Sequence, residues 1–186
     1  MANRNTQGFG LIAAGTLGST PATSGQGKYK IDAGSSTTIF HGGAVASSAG
    51  YIVEGQGTDT KILGVLNGIF YNAATTLKPT FANHYVQVTP ANSEDIDAFV
   101  FDNPQQQYVV SIDNTLAQAG YLETYDMNVS AGSLTTGQSS ATLDHDDTSA
   151  DGASWRLLRS AEDPENDENA AFRSVVVVAN LTELQS

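Results

Sequence analysis

The sequence predicts an all-β fold: a small β-barrel or sandwich of short antiparallel strands, preceded by an extended Gly-rich N-terminal arm. Three observations carry this. No segment sustains a helical period, while period-2 alternation and short apolar runs recur. Gly is plentiful at 18, and with abundant Ser and Thr it favours turns and strands over helices. The 186 residues are 40% hydrophobic and only 15% charged, which suits a packed core rather than a disordered chain.

The elements follow in order. Residues 1–35 are rich in Gly, Ser and Thr and read as an arm with little regular structure. Residues 51–54 (YIVE) form a short strand. Residues 61–72 (KILGVLNGIFYN) hold two apolar runs joined by Asn67-Gly68, a pair that accepts the positive φ angles of a type I′ turn, so they predict a hairpin. Residues 84–88 (HYVQV) place His84, Val86 and Val88 on one strand face. Residues 98–102 and 108–113 flank NPQQQ as a second hairpin. In residues 121–129, Tyr125, Met127 and Val129 alternate with Thr124, Asp126 and Asn128, the pattern of a half-buried strand. Residues 154–159 (SWRLLR) place Trp155 in the core. The four valines of residues 174–179 (SVVVVA) have no polar alternate, so both faces of that strand are covered. Residues 114–119 form one helical turn. About nine strands result, and no fixed-period repeat suggests a solenoid or propeller.

Composition shifts along the chain. Up to Ser93 the net charge is +2 and Gly occurs fourteen times; beyond it the charge is −14 and Gly occurs four times. A loop-like boundary falls at residues 89–95 (TPANSED). The expected organisation is a 1–35 arm, a 36–93 Gly-rich β region and a 94–186 acidic β-barrel domain.

Charge also excludes functions. The net charge is −12, with only eight Lys and Arg scattered along the chain. Nucleic-acid binding through phosphate neutralisation needs clustered bases, and attraction to anionic lipid needs the same. No apolar run of about 18 residues is present to span a membrane. Residues 9–17 (FGLIAAGTL) follow Arg4 in the outline of a signal peptide, but Gly8, Gly10 and Gly15 dilute it, and an extended arm packing on a neighbour is the reading adopted. There is no Cys, hence no disulfide framework, thiolate zinc site or Cys nucleophile.

The search for chemistry returns little. His41, His84 and His145 lack metal-ligand spacing; His84 reads as structural and His41, before Gly42-Gly43, as a turn residue. No nucleophile elbow occurs. The Gly25–Lys28 and Gly8–Ala13 stretches lack the spacing and flanking strand of a phosphate loop or dinucleotide fingerprint. Two acidic loops remain: Asp144, Asp146, Asp147 and Asp151, then Glu162, Asp163, Glu165, Asp167 and Glu168. Neither has the EF-hand order of ligands, and both read as solvated loops. No cofactor, no metal site and no enzymatic activity are expected.

Residues 62–86 (ILGVLNGIFYNAATTLKPTFANHYV) resemble a stretch of virion structural proteins of tailed bacteriophages, in particular marine and cyanobacterial ones. The same holds for residues 98–122, 133–144, 154–169 and 174–184. The chain is similar there to head decoration, or cement, proteins, in which a Gly-rich arm precedes a small β-barrel. The resemblance implies a virion structural protein, assembled in the host cytoplasm, that binds the outside of the head and stabilises the capsid. Its implied partners are the major capsid protein and further copies of itself, as a closed homo-oligomer with a trimer favoured. An arm that orders on binding makes Arg4, Phe9, Leu11 and Ile12 the candidate capsid contacts, one cation and three apolar groups among small residues. Weak contacts at symmetry-related points gain avidity by about 10²–10⁴. An alternative is a phage tail or fibre adhesin module that binds a host-surface glycan or protein. A calcium-stabilised binding domain is a third reading.

Overall fold

The computed structural model describes residues 3, 6–18, 25–57, 61–148 and 152–185. Among them are twelve strands: β1 (Ile12–Thr16), β2 (Gly27–Ile31), β3 (Ala44–Ser48), β4 (Tyr51–Glu54), β5 (Gly64–Asn72), β6 (Pro79–Ala82), β7 (Ile96–Phe101), β8 (Gln106–Ser111), β9 (Thr124–Asn128), β10 (Thr142–Thr148), β11 (Trp155–Ser160) and β12 (Ser174–Ala179). Only short 3-10 turns interrupt them. One of these, at Gln118–Gly120, lies at the end of the helical turn expected over residues 114–119.

The strands form two antiparallel sheets. Sheet one runs β1-β8-β12-β11-β9-β10 and sheet two β2-β7-β5-β3-β4. β5 is long enough to share one edge with β7 and the other with both β3 and β6. The arrangement is sandwich-like and neither sheet closes into a barrel. In sheet two, β2 and β4 come into contact without pairing, so the sheet curls around its own interior.

Each sheet wraps a core. In the first, Trp155 (1% exposed) meets the Tyr108 ring edge-on at 5.6 Å, among Val110, Leu157, Val175 and Val177. Ala44, Ile62 and Val65 join this cluster from the sheet-two side. The second core holds Ile31, Leu66, Ile69, Ile96, Ala98 and Val100. Val175, Val176, Val177 and Val178 are all buried, as an apolar run without polar alternates requires.

Several expectations are corrected. Asn67-Gly68 makes no hairpin turn: β5 runs straight through it. The chain instead bulges between Leu66 and Gly68, where the Asn67 carbonyl accepts a 2.9 Å hydrogen bond from His41 Nδ1. Partners on both edges hold the segment extended and override local turn preference. A β-carbon at Gly68 would be a tight fit, 3.0 Å from the Ala82 carbonyl oxygen. The hairpin present joins β5 to β6 through residues 73–78.

Residues 84–88 form no strand; Val88 packs against the second core, but His84 and Val86 are only half-buried. Tyr85 is the fully buried residue; it bridges Ile39, and its hydroxyl donates to the Ser35 carbonyl at 2.7 Å. The strap made by residues 35–40 and 83–88 covers the second core. β7 and β8 make no hairpin either. Each finds other neighbours, and NPQQQ carries the chain from one sheet to the other.

Residues 1–35 are not an arm without regular structure. β1 pairs with β8 and β2 with β7, so strand pairing crosses both expected domain boundaries. Asn3, buried at the start of the described chain, accepts from the Asp167 N–H at 2.5 Å and donates to the Ala171 carbonyl at 3.0 Å.

Candidate binding surfaces

Outward faces, rather than a cleft, gather the exposed side chains. In sheet one, Tyr108 and Val110 point into the core, so Val109 points out. The register then aligns Ile12, Val109, Val176 and Arg159 in one row across β1, β8, β12 and β11. Ile12 is 50% exposed on an edge strand paired with β8 alone. The register slips between Ala13 and Gly15, and Ala14 lies over a recess of ≈ 350 Å³ floored by Val109 and Val176 and rimmed by Arg159, Glu162 and Asp163. An edge strand presents backbone donors and acceptors to a neighbour. Here they lie beside apolar side chains.

The four sequence candidates separate. Ile12 is a surface residue. Phe9 is half-buried, and its carbonyl accepts from Gln138 Nε2 at 2.7 Å. Leu11 is 2% exposed and packs in the first core, so it is a folding residue and not a capsid contact. Hydrogen bonds from Gly10 N–H to the Ala141 carbonyl and from Leu11 N–H to the Gly42 carbonyl fix this stretch, and alternation then sends Leu11 inward. Arg4 lies outside the described residues.

Sheet two carries a second outward row that sequence reasoning missed. Ile96, Ala98 and Val100 are buried on the inner face of β7, so Asp97 and Phe99 face out. Register places Lys30, Asp97, Phe70 and Phe81 side by side on β2, β7, β5 and β6. The Phe70 and Phe81 rings lie 4.7 Å apart, and Phe81 is 73% exposed, the highest among the exposed large hydrophobic residues described. Beside them Asp97 binds Lys28 Nζ at 2.7 Å and Lys30 Nζ at 2.6 Å. Burial alone would raise the Asp97 carboxyl; the two ammonium groups outweigh it and hold the carboxyl below its usual range. The row was not readable in the sequence, because it depends on four strands far apart in the chain.

The first acidic stretch is not a loop, since its residues 142–148 form β10; the second lies between β11 and β12, and backbone N–H groups bind carboxylates in both. Asp144 accepts from the Asp146 N–H and Asp163 from the Glu165 N–H, each at 3.0 Å. Asn166 clamps the second loop, donating to the Ala161 and Ser174 carbonyls and accepting from the Ser174 N–H. Arg173, 2% exposed, donates to the Glu168 carbonyl at 2.6 Å and to the Tyr121 hydroxyl. Among the described residues no three His, Asp or Glu side chains converge as metal ligands. The Asp147 side chain and Asp151 lie outside that description. His84 stacks on Phe40, and His145 pairs with Asp146 at 3.0 Å. Among the described residues no helix is long and apolar enough to cross a membrane.

Fold and surfaces define an all-β, sandwich-like protein of two antiparallel sheets with an outward-facing, partly exposed row of side chains on each. Compared with protein-family models, curated proteins and solved structures, the chain has no match.

Proposed function

We propose that the protein is a non-enzymatic decoration protein of a phage head, bound to the outer capsid surface through the β1 face of sheet one. The observation that supports this reading is Ile12: a large apolar side chain, half exposed, on an edge strand whose Ala14 lies over a recess of mixed apolar and charged lining. An extended segment of the major capsid protein adds to the β1 edge by backbone hydrogen bonding, and an apolar side chain of that segment fills the recess over Val109 and Val176. Arg159, Glu162 and Asp163 at the rim set orientation. Copies joined as a trimer engage several capsid subunits at once, which turns a weak single contact into stable attachment. The acidic charge keeps crowded copies soluble.

The test is to mix purified protein with undecorated heads of the source phage and count bound copies. A fixed ratio to the capsid protein at defined symmetry positions is expected, together with a higher head rupture temperature. Saturable binding to tails and none to heads would overturn the proposal in favour of a tail or fibre adhesin.

A further inference from the structure

We propose that the outer face of sheet two holds a saccharide site, which takes a neutral hexopyranose unit of a larger glycan. This goes beyond head decoration and does not depend on it. Between β5, β7 and the loop that precedes β7 lies a recess of ≈ 280 Å³, just below the usual range for drug-sized ligands and large enough to admit a sugar ring. Phe70 lines it and Phe81 continues the aromatic surface beyond Phe70, while the Tyr71 side chain, on the opposite face of β5, packs against the second core. An aromatic face open to solvent stacks against the C–H face of a pyranose, while the hydroxyls around the sugar need planar polar groups at the rim.

The rim supplies those groups. Asn72, on the same face of β5 as Phe70, lines the recess, and its side-chain amide makes no hydrogen bond among the described residues. Asp95 accepts only long bonds, from the Tyr51 hydroxyl at 3.2 Å and the Ala33 N–H at 3.4 Å, so its carboxylate keeps lone pairs for a diol. Glu94 is exposed beside it. The loop that carries Glu94 holds Asn92 at φ 57° and Ser93 at φ 55°, two successive residues in the left-handed region without being Gly. Asn accepts that region readily; Ser93 does so less often and is held there by its surroundings.

Charge selects the sugar. The three carboxylates of Glu94, Asp95 and Asp97 outnumber the two ammonium groups, Lys28 and Lys30, that bind Asp97, so uronates and other anionic sugars are disfavoured. The edge next to the platform is also poorly suited to strand addition. β6 is four residues long, begins at Pro79, which has no N–H, and follows Lys78. A small ligand stacked on the face fits this better than a second chain joined at its edge.

The experiment is saturation-transfer NMR and calorimetry on the full chain. The probes are neutral tetrasaccharides built on glucose, galactose or mannose, with a uronate tetrasaccharide as the charged control. At least one neutral probe is expected to bind with Kd of about 1 mM, and the uronate not to bind. Phe70→Ala and Asn72→Ala are each expected to weaken binding about tenfold. Phe81→Ala, at an exposed ring, serves as the variant least able to disturb folding, and it weakens binding as well. Ile12→Asp leaves sugar binding intact, which separates this site from the head contact. Binding of no neutral probe at millimolar concentration would overturn the proposal, as would equal binding of the uronate or indifference to both Phe70→Ala and Asn72→Ala. Self-association that is lost in Phe81→Ala, without sugar binding, would assign the face to a second copy instead.

Discussion

A β-carbon added at Gly8 would lie 2.0 Å from the Ser140 carbonyl oxygen, inside any permissible contact. Gly8→Ala therefore forces the N-terminal segment away from residues 139–142. It is expected to lower the melting temperature by several degrees, equivalent to about 1–3 kcal/mol. An unchanged melt would show that the segment is not seated there. Burial and a 2.7 Å hydrogen bond to Asp102 push the Tyr29 hydroxyl up to about 12. An unfolded tyrosine ionises near pH 10. The folded state thus holds the proton more tightly, and its advantage is complete below about pH 10 and drains as pH rises toward 12. In Tyr29→Phe the alkaline loss of stability between those limits is expected to be shallower, as urea melts over that range would reveal. Tyr108, raised by burial, keeps part of the alkaline loss in the variant.

At the scale of elements, the cross-strand row in sheet two makes a prediction with the opposite sign. Asp97 is held below its ordinary range by Lys28 and Lys30 against the opposing effect of burial. Its contribution is complete above the unfolded carboxyl value of about 4 and disappears as pH falls through the lower folded value. Asp97→Asn is expected to be less stable than the parent at pH 7, with the gap closing on acidification. A gap that stays constant from pH 7 to pH 2 would exclude the ion pairs as its cause. The edge strand β1 makes a separate claim. Ile12→Asp places a charge on its exposed face and is expected to abolish head binding while the melting temperature barely moves, since Ile12 lies outside the core. Full head binding by this variant would remove β1 from the contact.

At the scale of the whole molecule, pairing between distant strands decides what can fold. Residues 94–186 alone lack β1, β2 and β5, so β7 loses both of its neighbours and β8 loses one. That fragment is expected to show no cooperative thermal transition by circular dichroism; a sharp, reversible melt would establish it as an independent domain. Deletion of residues 1–25 removes β1 and the core residue Leu11 along with any surface contact. Loss of head binding in that variant is therefore interpretable only beside its melting curve. Trp155→Ala, at the centre of the first core, is expected to cost about 3–5 kcal/mol.

Strand content was readable from periodicity where burial of one sheet face imprints a period of two, as in β9, and from short apolar runs elsewhere, as in β7 and β11. The covered valine run of β12 was readable for a related reason: a strand with no polar alternate has no face to show water. Charge was equally legible, since the imbalance of acids over bases needs no geometry. Two other features were decided only by folding. Asn67-Gly68 has the local chemistry of a turn, yet neighbours on both edges of β5 hold it extended, and hydrogen bonding to distant strands outweighs a dipeptide preference. Leu11 and Ile12 are adjacent and alike in the chain. One is core and the other surface because the pairing of β1 with β8 sets which side each faces. The row of Lys30, Asp97, Phe70 and Phe81 arises in the same way. Periodicity states that a residue faces outward, but only the register between strands states which residues it faces outward beside.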